Sequence, residues 1–412
     1  MSVWDVFRAR GFFQQVTEGE ALEQRPAPLV GYIGFDPTAD SFHAGHLIPL
    51  MALAHFQREG HRPIALMGGG TAMIGDPTGK NEMRKMLSVE DLDRNIVGLK
   101  AQLGRLLDFE PRDGRPGAIL ADNADWLRGL GYLDFLRTVG PHFSVNRMLT
   151  FETFKLRLEG AGLSFLEFNY PLLQSYDFLE LHRRHGCTLQ MGGDDQWANI
   201  ISGVDLVRRL ARAQVFGWTF PLLTTASGAK MGKTERGAVW LDPAKTAPYD
   251  YYQYWINTDD RDTVKFLRLF TLLPLEEVAA VERFAGADLR QAKARLAFEA
   301  TRLVHGEEEA RRAERGARAL FGGGAGSLDD VPSTRLTRAE LEDGRPLPRV
   351  LVDVGLAAST SAARRLIEQG SVTVNDVKVD APDYALSPAA VVDGSILLKV
   401  GKKKFHRLTV EG

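Results

Sequence analysis

Along the first half of the chain, short apolar runs alternate with stretches whose apolar residues recur at helical spacing. Leu29–Ile33 is a compact apolar run that predicts a strand, and Pro63–Met67 predicts the next one. Between them His46–Glu59 has the spacing of a helix, ended by Gly60. Ser88, followed three residues later by Asp91, opens another helix with a cap-like pattern running toward Leu107, and Ala118–Ala121 is a further strand. Strands separated by helices imply a parallel α/β sheet, which binds ligands where strands end and helices begin.

The pattern then changes. From Ala244 to Gly322 it is helical and rich in Ala, Leu, Glu and Arg, after which FGGGAGS (Phe321–Ser327) and an acidic, proline-bearing stretch to Pro348 read as a linker. An apolar helix around Val350–Leu356 follows, then a second from Ser361 to Gln369 carrying Arg364 and Arg365 and ended by Gly370. Strand-like VTVN, ILLKV and FHRLTV runs complete the chain, with a turn at Asn375–Asp376. A length of 412 residues predicts two or three domains.

Composition narrows the picture only slightly. With 44% hydrophobic and 25% charged residues the chain reads as a globular protein. It has neither a signal-peptide pattern at its start nor a segment near the ~20 apolar residues of a membrane span. Cys187, the one cysteine, excludes an intramolecular disulfide and suits a reducing cytoplasm. His182, His185 and Cys187 read as a basic helix end stopped by Gly186 in preference to metal ligands. A net charge of −2 does not mark a nucleic-acid binder; its distribution says more, with a solvated tail as the alternative reading of the basic run near the C-terminus. Lys399, Lys402, Lys403, Lys404 and Arg407, interleaved with Phe405 and His406 and free of acids, favour contacts to RNA phosphates.

Two segments carry candidate chemistry. In YIGFDPTADSFHAGH (Tyr32–His46), His43 and His46 lie one helical turn apart with Gly45 between them. A helix starting there would aim free backbone N–H groups and both rings at an anion, while Gly45 admits a flat base. In KMGKT (Lys230–Thr234), two ammonium groups on a glycine-flanked loop suit a polyphosphate. GDPTGK and GAKMGK are not phosphate loops of the Walker type, whose glycines are five positions apart. Ser164 and Glu167 form a capping box, and beyond it Tyr170, Gln174 and Asp177 share one helix face among apolar neighbours. Such polar groups are costly to bury unless something hydrogen-bonds to them. Pro171 predicts a kink in that helix.

The paired segments resemble the His-Ile-Gly-His and Lys-Met-Ser-Lys-Ser motifs of class I aminoacyl-tRNA synthetases. With FDPTADSFHAGH, MGGGTAMIGDPTGK and LQMGGDDQWAN, the chain resembles the bacterial tyrosyl-tRNA synthetases along nearly its whole length. Gly232 and Thr234 depart from the second motif by replacing its two serines. The resemblance implies an α/β fold: a Rossmann-like parallel-sheet catalytic domain over 1–225 with a dimer-forming insertion at about 120–180, and a catalytic loop at 226–243. An all-helical anticodon-binding domain over 244–322, a linker over 323–347 and a small α+β RNA-binding domain over 348–412 would follow.

It also implies roles. Tyr32 and Asp177 would bind the phenolic hydroxyl of L-tyrosine, Asp76, Tyr170 and Gln174 its ammonium group, and Gln196 would lie beside its carboxylate. Gly34, Asp36, Gly45, Gly193 and Asp195 would line the ATP site. Thr38, His43 and His46 would act on the phosphates from one side, and Lys80, Arg84, Lys230, Lys233 and Thr234 from the other. Magnesium would arrive with ATP, and tRNA(Tyr) would meet Arg364, Arg365, Lys402, Lys403 and Lys404. Family members are dimers, and the aromatics Phe135, Phe143, Phe151, Phe154 and Phe165 are expected to expose the dimer surface, with ordinary core packing as the alternative. Competing readings are a tryptophanyl enzyme, a catalytically silent RNA-binding protein on the same scaffold, and a small-molecule nucleotidyltransferase.

Overall fold

A computed structural model describes residues 1–78, 87–160, 162–226, 228, 231–234, 237–284, 286–321, 330–401 and 404–411. Lys80, Arg84, Lys230, Lys402, Lys403 and the glycine run at 322–324 lie outside the described residues, as do the side chains of Lys233 and Thr234. The chain forms two compact units, one of residues 1–246 with 254–305, the other of residues 247–253 with 306–412.

A six-stranded sheet organises the first unit. Its strands are β1 (Gln15–Val16), β2 (Val30–Phe35), β3 (Arg62–Met67), β4 (Ile119–Asp122), β5 (Leu189–Gly193) and β6 (Phe216–Phe220), in spatial order β1-β6-β5-β2-β3-β4. All neighbours pair in parallel except the edge strand β1, which runs antiparallel to β6. Both faces are covered by helices, so β3 reads as the unbroken apolar run that a doubly buried strand requires. The chain moves from β2 outward to β3 and β4, then returns to place β5 on the other side of β2. That reversal makes the C-terminal ends of β2 and β5 the switch point at which such sheets bind ligands.

Local sequence explains the elements flanking that edge. The helix Leu47–Arg58 follows the first motif, and Ser88 caps Val89–Leu103 by accepting the Asp91 N–H at 3.1 Å. Gly98 lets this helix cross the loop after β2, since a Cβ there would stand 2.1 Å from the Asp40 carbonyl oxygen. The three glycines after β3 serve close approach too. A Cβ on Gly68 would meet Asp36 at 2.6 Å, on Gly69 Asp122 at 2.5 Å, and on Gly70 Leu127 at 2.9 Å.

The region expected to kink at Pro171 does not. The capping box closes a short helix, Phe165–Phe168, and a new helix, Tyr170–His185, begins after Asn169. Pro171 therefore sits in a first turn, where its missing N–H has no intrahelical partner to lose. The expectation of exposed aromatics also fails in large part. Phe135, Phe151 and Phe154 are buried core residues, Phe143 is half-buried, and only Phe165 of the five is exposed, at 70%. Rings stack inward, as Phe154 does on Phe151 and Phe168. What this region exposes is mainly aliphatic: Leu133, Val145, Leu156 and Leu158 stand more than half exposed beside Tyr132 and Phe165.

Helices Thr263–Phe270, Leu275–Val281 and Ala287–His305 complete the first unit. The buried Arg10 guanidinium donates to the carbonyls of Arg268, Thr271 and Leu273, capping the end of the first of them. Helix Glu307–Phe321 clusters instead with the C-terminal residues, so the helical stretch is divided between the units. The C-terminal sheet has five strands in the order Val377–Val379, Val372–Val374, Ser395–Val400, Lys404–Glu411 and Ser333–Thr337. Its edge strand Ser333–Thr337 lies within the stretch expected as linker, and Leu336 and Leu341 are buried in the core of this sheet. Helices Leu347–Asp353 and Thr360–Glu368 pack there as well, the second capped by Ser359.

One buried ion pair anchors the region between β4 and β5. Arg157 and Glu167 meet at 2.7 Å with side chains 6% and 3% exposed, and Glu167 also accepts from the Ser164 main chain and hydroxyl. Burial alone would raise the Glu167 carboxyl, but the Ser164 and Arg157 hydrogen bonds outweigh it and hold the group below its usual range. Arg157→Ala should therefore destabilise the protein by about 3–5 kcal/mol, the cost of leaving a buried charge unpaired, seen as a lower urea midpoint. Arg157→Met combined with Glu167→Leu should recover much of that loss. A single-variant loss below about 1 kcal/mol would show the pair to be solvated in solution.

Candidate active site

The first motif folds as a single turn, Ala44–His46, immediately before the helix Leu47–Arg58. Its backbone donors are not free for an anion, contrary to expectation. The His43 N–H goes to His46 Nδ1 (3.2 Å), Ala44 N–H to Val239 O (2.8 Å), Gly45 N–H to His43 Nδ1 (3.0 Å) and His46 N–H to His43 O (2.8 Å). The consequence is chemical. Each ring accepts at Nδ1, so each neutral ring carries its proton on Nε2 and presents a donor there. Burial, then the adjacent His43, pushes the His46 ring down to about 3, which keeps it neutral near pH 7. The two rings are 4.0 Å apart.

The second motif lies against the first. Trp240 bridges to His43, Leu241 N–H donates to Phe42 O, and Val239 N–H donates to Gly232 O. Gly232 adopts φ +78°, and a Cβ on it would stand 2.4 Å from the Gly45 nitrogen. A glycine in place of the motif's serine is thus what lets the two backbones touch in this conformation. The Gly232 N–H points to Tyr254 Oη at 3.3 Å.

At the end of β5 the turn Asp194–Gln196 is fixed by Asp194, whose Oδ1 accepts from Gln15 Nε2 and Thr219 Oγ1. Gln196 Nε2 donates to Asp76 Oδ2 at 2.7 Å, while Asp76 Oδ1 accepts the Thr78 N–H. Asn199 Nδ2 then reaches both Gln196 Oε1 (3.2 Å) and Gln174 Oε1 (3.1 Å). Asp76, Gln196 and Gln174, 120 residues apart in sequence at the extreme, form one hydrogen-bonded string through Asn199. Tyr170, one turn before Gln174, is buried. Gly34 and Thr38 are exposed, with nothing within 4 Å of a Cβ placed on Gly34, and Asp36 and Gly193 are half-buried around them. Asp195 is exposed at the β5 turn.

Behind this string lies a drier group. Tyr32 on β2 is 1% exposed, and its hydroxyl has no hydrogen-bond partner among the described residues. Its ring meets Phe178 at 5.4 Å. Asp177, 2% exposed, accepts from Trp126 Nε1 at 2.7 Å on Oδ1 and from Asn123 Nδ2 at 2.9 Å on Oδ2. Burial pushes the Asp177 carboxyl up to about 8; these two hydrogen bonds pull it down, and Asp36 and Asp122 add to the rise. Asn123 also accepts the Gly70 N–H and donates to Thr71 Oγ1, tying the glycine loop after β3 to the same carboxyl. Asn123, Trp126 and Asn199 were not expected from the sequence, where a lone Asn or Trp beside a strand or helix start carries no distinguishing pattern.

In the C-terminal unit Arg364 and Arg365 are exposed on Thr360–Glu368, and Asn375 and Asp376 form the expected turn with φ of 48° and 63°. Lys404 opens the last long strand, paired with Val400.

The family described as "tRNA synthetases class I (W and Y)" matches residues 24–322, and the "Tyrosine--tRNA ligase SYY-like C-terminal domain" matches residues 325–408. The tyrosine–tRNA ligase of Desulfosudis oleivorans is 51% identical over 433 residues, covering 100% of this chain and 99% of that protein. That of Caldanaerobacter subterraneus subsp. tengcongensis is 52% identical over 413 residues and 100% of both. A crystal structure of a C-terminally truncated Aspergillus nidulans mitochondrial tyrosyl-tRNA synthetase superposes with a TM-score of 0.70 at 31% identity, covering 78% of this chain and 94% of that one. Half of all positions shared from end to end, with both family models matched in order along the chain, place it in the tyrosine–tRNA ligase family of class I aminoacyl-tRNA synthetases.

Proposed function

We infer that the chain activates L-tyrosine with ATP, releasing pyrophosphate, and passes the tyrosyl group to the 3′ end of tRNA(Tyr). One observation supports the choice of amino acid: a buried Tyr32 hydroxyl that has no hydrogen-bond partner among the described residues and feels the charge of a buried carboxyl, Asp177, held from behind. A buried, unpaired hydroxyl costs about 1–3 kcal/mol. The phenol of tyrosine would accept from Tyr32 and donate to Asp177, removing that cost. Phenylalanine would leave both groups unpaired, which is the known behaviour of tyrosine-activating enzymes. An indole N–H only donates, so tryptophan would leave the Tyr32 proton without an acceptor.

The remaining roles follow from position. Asp76, Tyr170 and Gln174 would hold the ammonium group, with Gln196 beside the carboxylate. That carboxylate is already ionised, so its oxygen attacks the α-phosphorus without a general base. The new C–O–P linkage forms as the bond to the β-phosphate oxygen breaks, and pyrophosphate leaves with the electron pair. The protein's task is to orient the reactants and meet charge on the phosphates. Nε2–H donors of His43 and His46, with Thr38, would do so from the β2 side. Lys230, Lys233 and Thr234 would act from the second motif, and Lys80 and Arg84 from the segment after Asp76. Gly34, Asp36, Gly45, Gly193 and Asp195 would line the nucleotide. Magnesium would enter as part of the substrate, carried on the ATP phosphates.

The helical stretch 244–322 is proposed to meet the anticodon arm, and Arg364, Arg365, Lys402, Lys403 and Lys404 the tRNA backbone. The aliphatic surface around Leu133, Val145, Leu156 and Leu158 supports a homodimer through the region 120–180. Sedimentation giving only a monomer mass at micromolar concentration would contradict it. The reaction belongs in the cytoplasm with its tRNA.

Asp177→Ala should lower kcat/KM for tyrosine by about ten- to a hundredfold, the cost of leaving a buried hydroxyl without its partner, while the KM for ATP stays near normal. A near-normal kcat/KM in pyrophosphate exchange would remove Asp177 from the pocket. The double variant Arg364→Ala/Arg365→Ala should leave exchange intact and raise the KM for tRNA, with a shallower salt dependence. Unchanged charging at physiological salt would take that helix out of the RNA contact.

A further inference from the structure

The helix Tyr170–His185 carries Asp177 and, two turns further on, Arg184. Between the two lies Trp126, which comes from a helix of only four residues, Ala124–Leu127, after β4. Trp126 is 7% exposed and belongs to the same buried core as Tyr32 and Phe178. The indole N–H donates to Asp177 Oδ1 at 2.7 Å, and the Arg184 Cζ stands over the same ring, 5.0 Å from its centroid. Arg184 is itself fixed, since its Nε donates to Glu180 Oε2 at 3.0 Å and Glu180 is 8% exposed. Arg183 binds the other Glu180 oxygen at 3.0 Å and has no ring contact of this kind among the described residues.

We propose that Arg184 is a positioning residue for the amino-acid pocket: its guanidinium holds the Trp126 indole at the angle from which the N–H secures Asp177. The inference rests on the reading of Asp177 as the phenol's partner. Two effects act together. A cation over an aromatic face is attracted to it, which fixes the ring. It also draws electron density from the ring and so strengthens the indole N–H as a donor to the carboxyl. A guanidinium suits this position because one edge can bind Glu180 while the group lies over the ring, which a lysine ammonium does less well. The plainer alternative is a solvated cation at a helix C-terminus, favoured only by the helix dipole. Such a cation would leave substrate selection untouched.

Full-length Arg184→Ala, Arg184→Lys, Arg183→Ala and Asp177→Asn proteins separate the possibilities in pyrophosphate exchange with tyrosine and with phenylalanine. Arg184→Ala should raise the KM for tyrosine about two- to fivefold, the size of a partly exposed cation–π contact, and narrow the preference over phenylalanine by a similar factor. The kcat and the KM for ATP should stay within about twofold. Arg184→Lys, which keeps a cation, should recover part of the loss, and Arg183→Ala should match the unaltered protein. If Arg184→Ala behaves as Arg183→Ala does, or lowers kcat and ATP affinity together with tyrosine affinity, Arg184 has no positioning role. Should Asp177→Asn leave the tyrosine preference unaltered, the pocket reading fails first. A sensitive Asp177 with an indifferent Arg184 overturns this inference alone.

Discussion

A carboxyl group kept dry behind the central strand is what the catalytic unit is organised around. Asp177 carries a large desolvation cost, visible in a carboxyl pushed up to about 8. It is carried on the helix Tyr170–His185 and held by the β4 turn, which supplies Asn123 and Trp126. Asn123 extends the connection to the glycine loop after β3, whose residues tolerate no side chain because Asp36, Asp122 and Leu127 crowd them. The loop in turn leads to Asp76. In the proposed reading, the phenol end and the ammonium end of the pocket are thus joined by a single string of neighbours.

The nucleotide side is built on a different principle. There the two motifs are brought together by main chain, with a glycine from each in contact and with neighbouring backbone hydrogen bonds. The histidine rings take the N–H groups of His43 and Gly45 and display ring donors in their place. Neutral donors stabilise charge that develops on phosphate without holding the ground-state anion as tightly as fixed cations would, which is the differential binding that catalysis needs.

Much of this was readable from sequence where the determinant is local. Ser88 and Ser164 cap helices as their patterns indicate, and Tyr170, Gln174 and Asp177 share a face because three, four and seven are helical spacings. What was misread turned on one residue's context. Pro171 looked interior until Asn169 divided the helix, and four aromatics of the 130–168 region looked available until the fold buried or half-buried them. Of the N–H groups expected to be free at the first motif, those of His43 and Gly45 are taken by rings two or three residues away, a contact that depends on rotamer and not on spacing, and those of Ala44 and His46 by main-chain carbonyls. Asn123, Trp126 and Asn199 were missed because their meaning lies in partners 25 to 54 residues distant.

The proposed pocket demands a hydroxyl able both to accept from Tyr32 and to donate to Asp177. Amino-acid-dependent exchange of pyrophosphate into ATP by the unaltered protein tests it most directly, with tyrosine, phenylalanine and tryptophan each offered alone. The account predicts rapid exchange with tyrosine and rates lower by orders of magnitude with the other two. Exchange with tryptophan or phenylalanine that equals or exceeds exchange with tyrosine would contradict it.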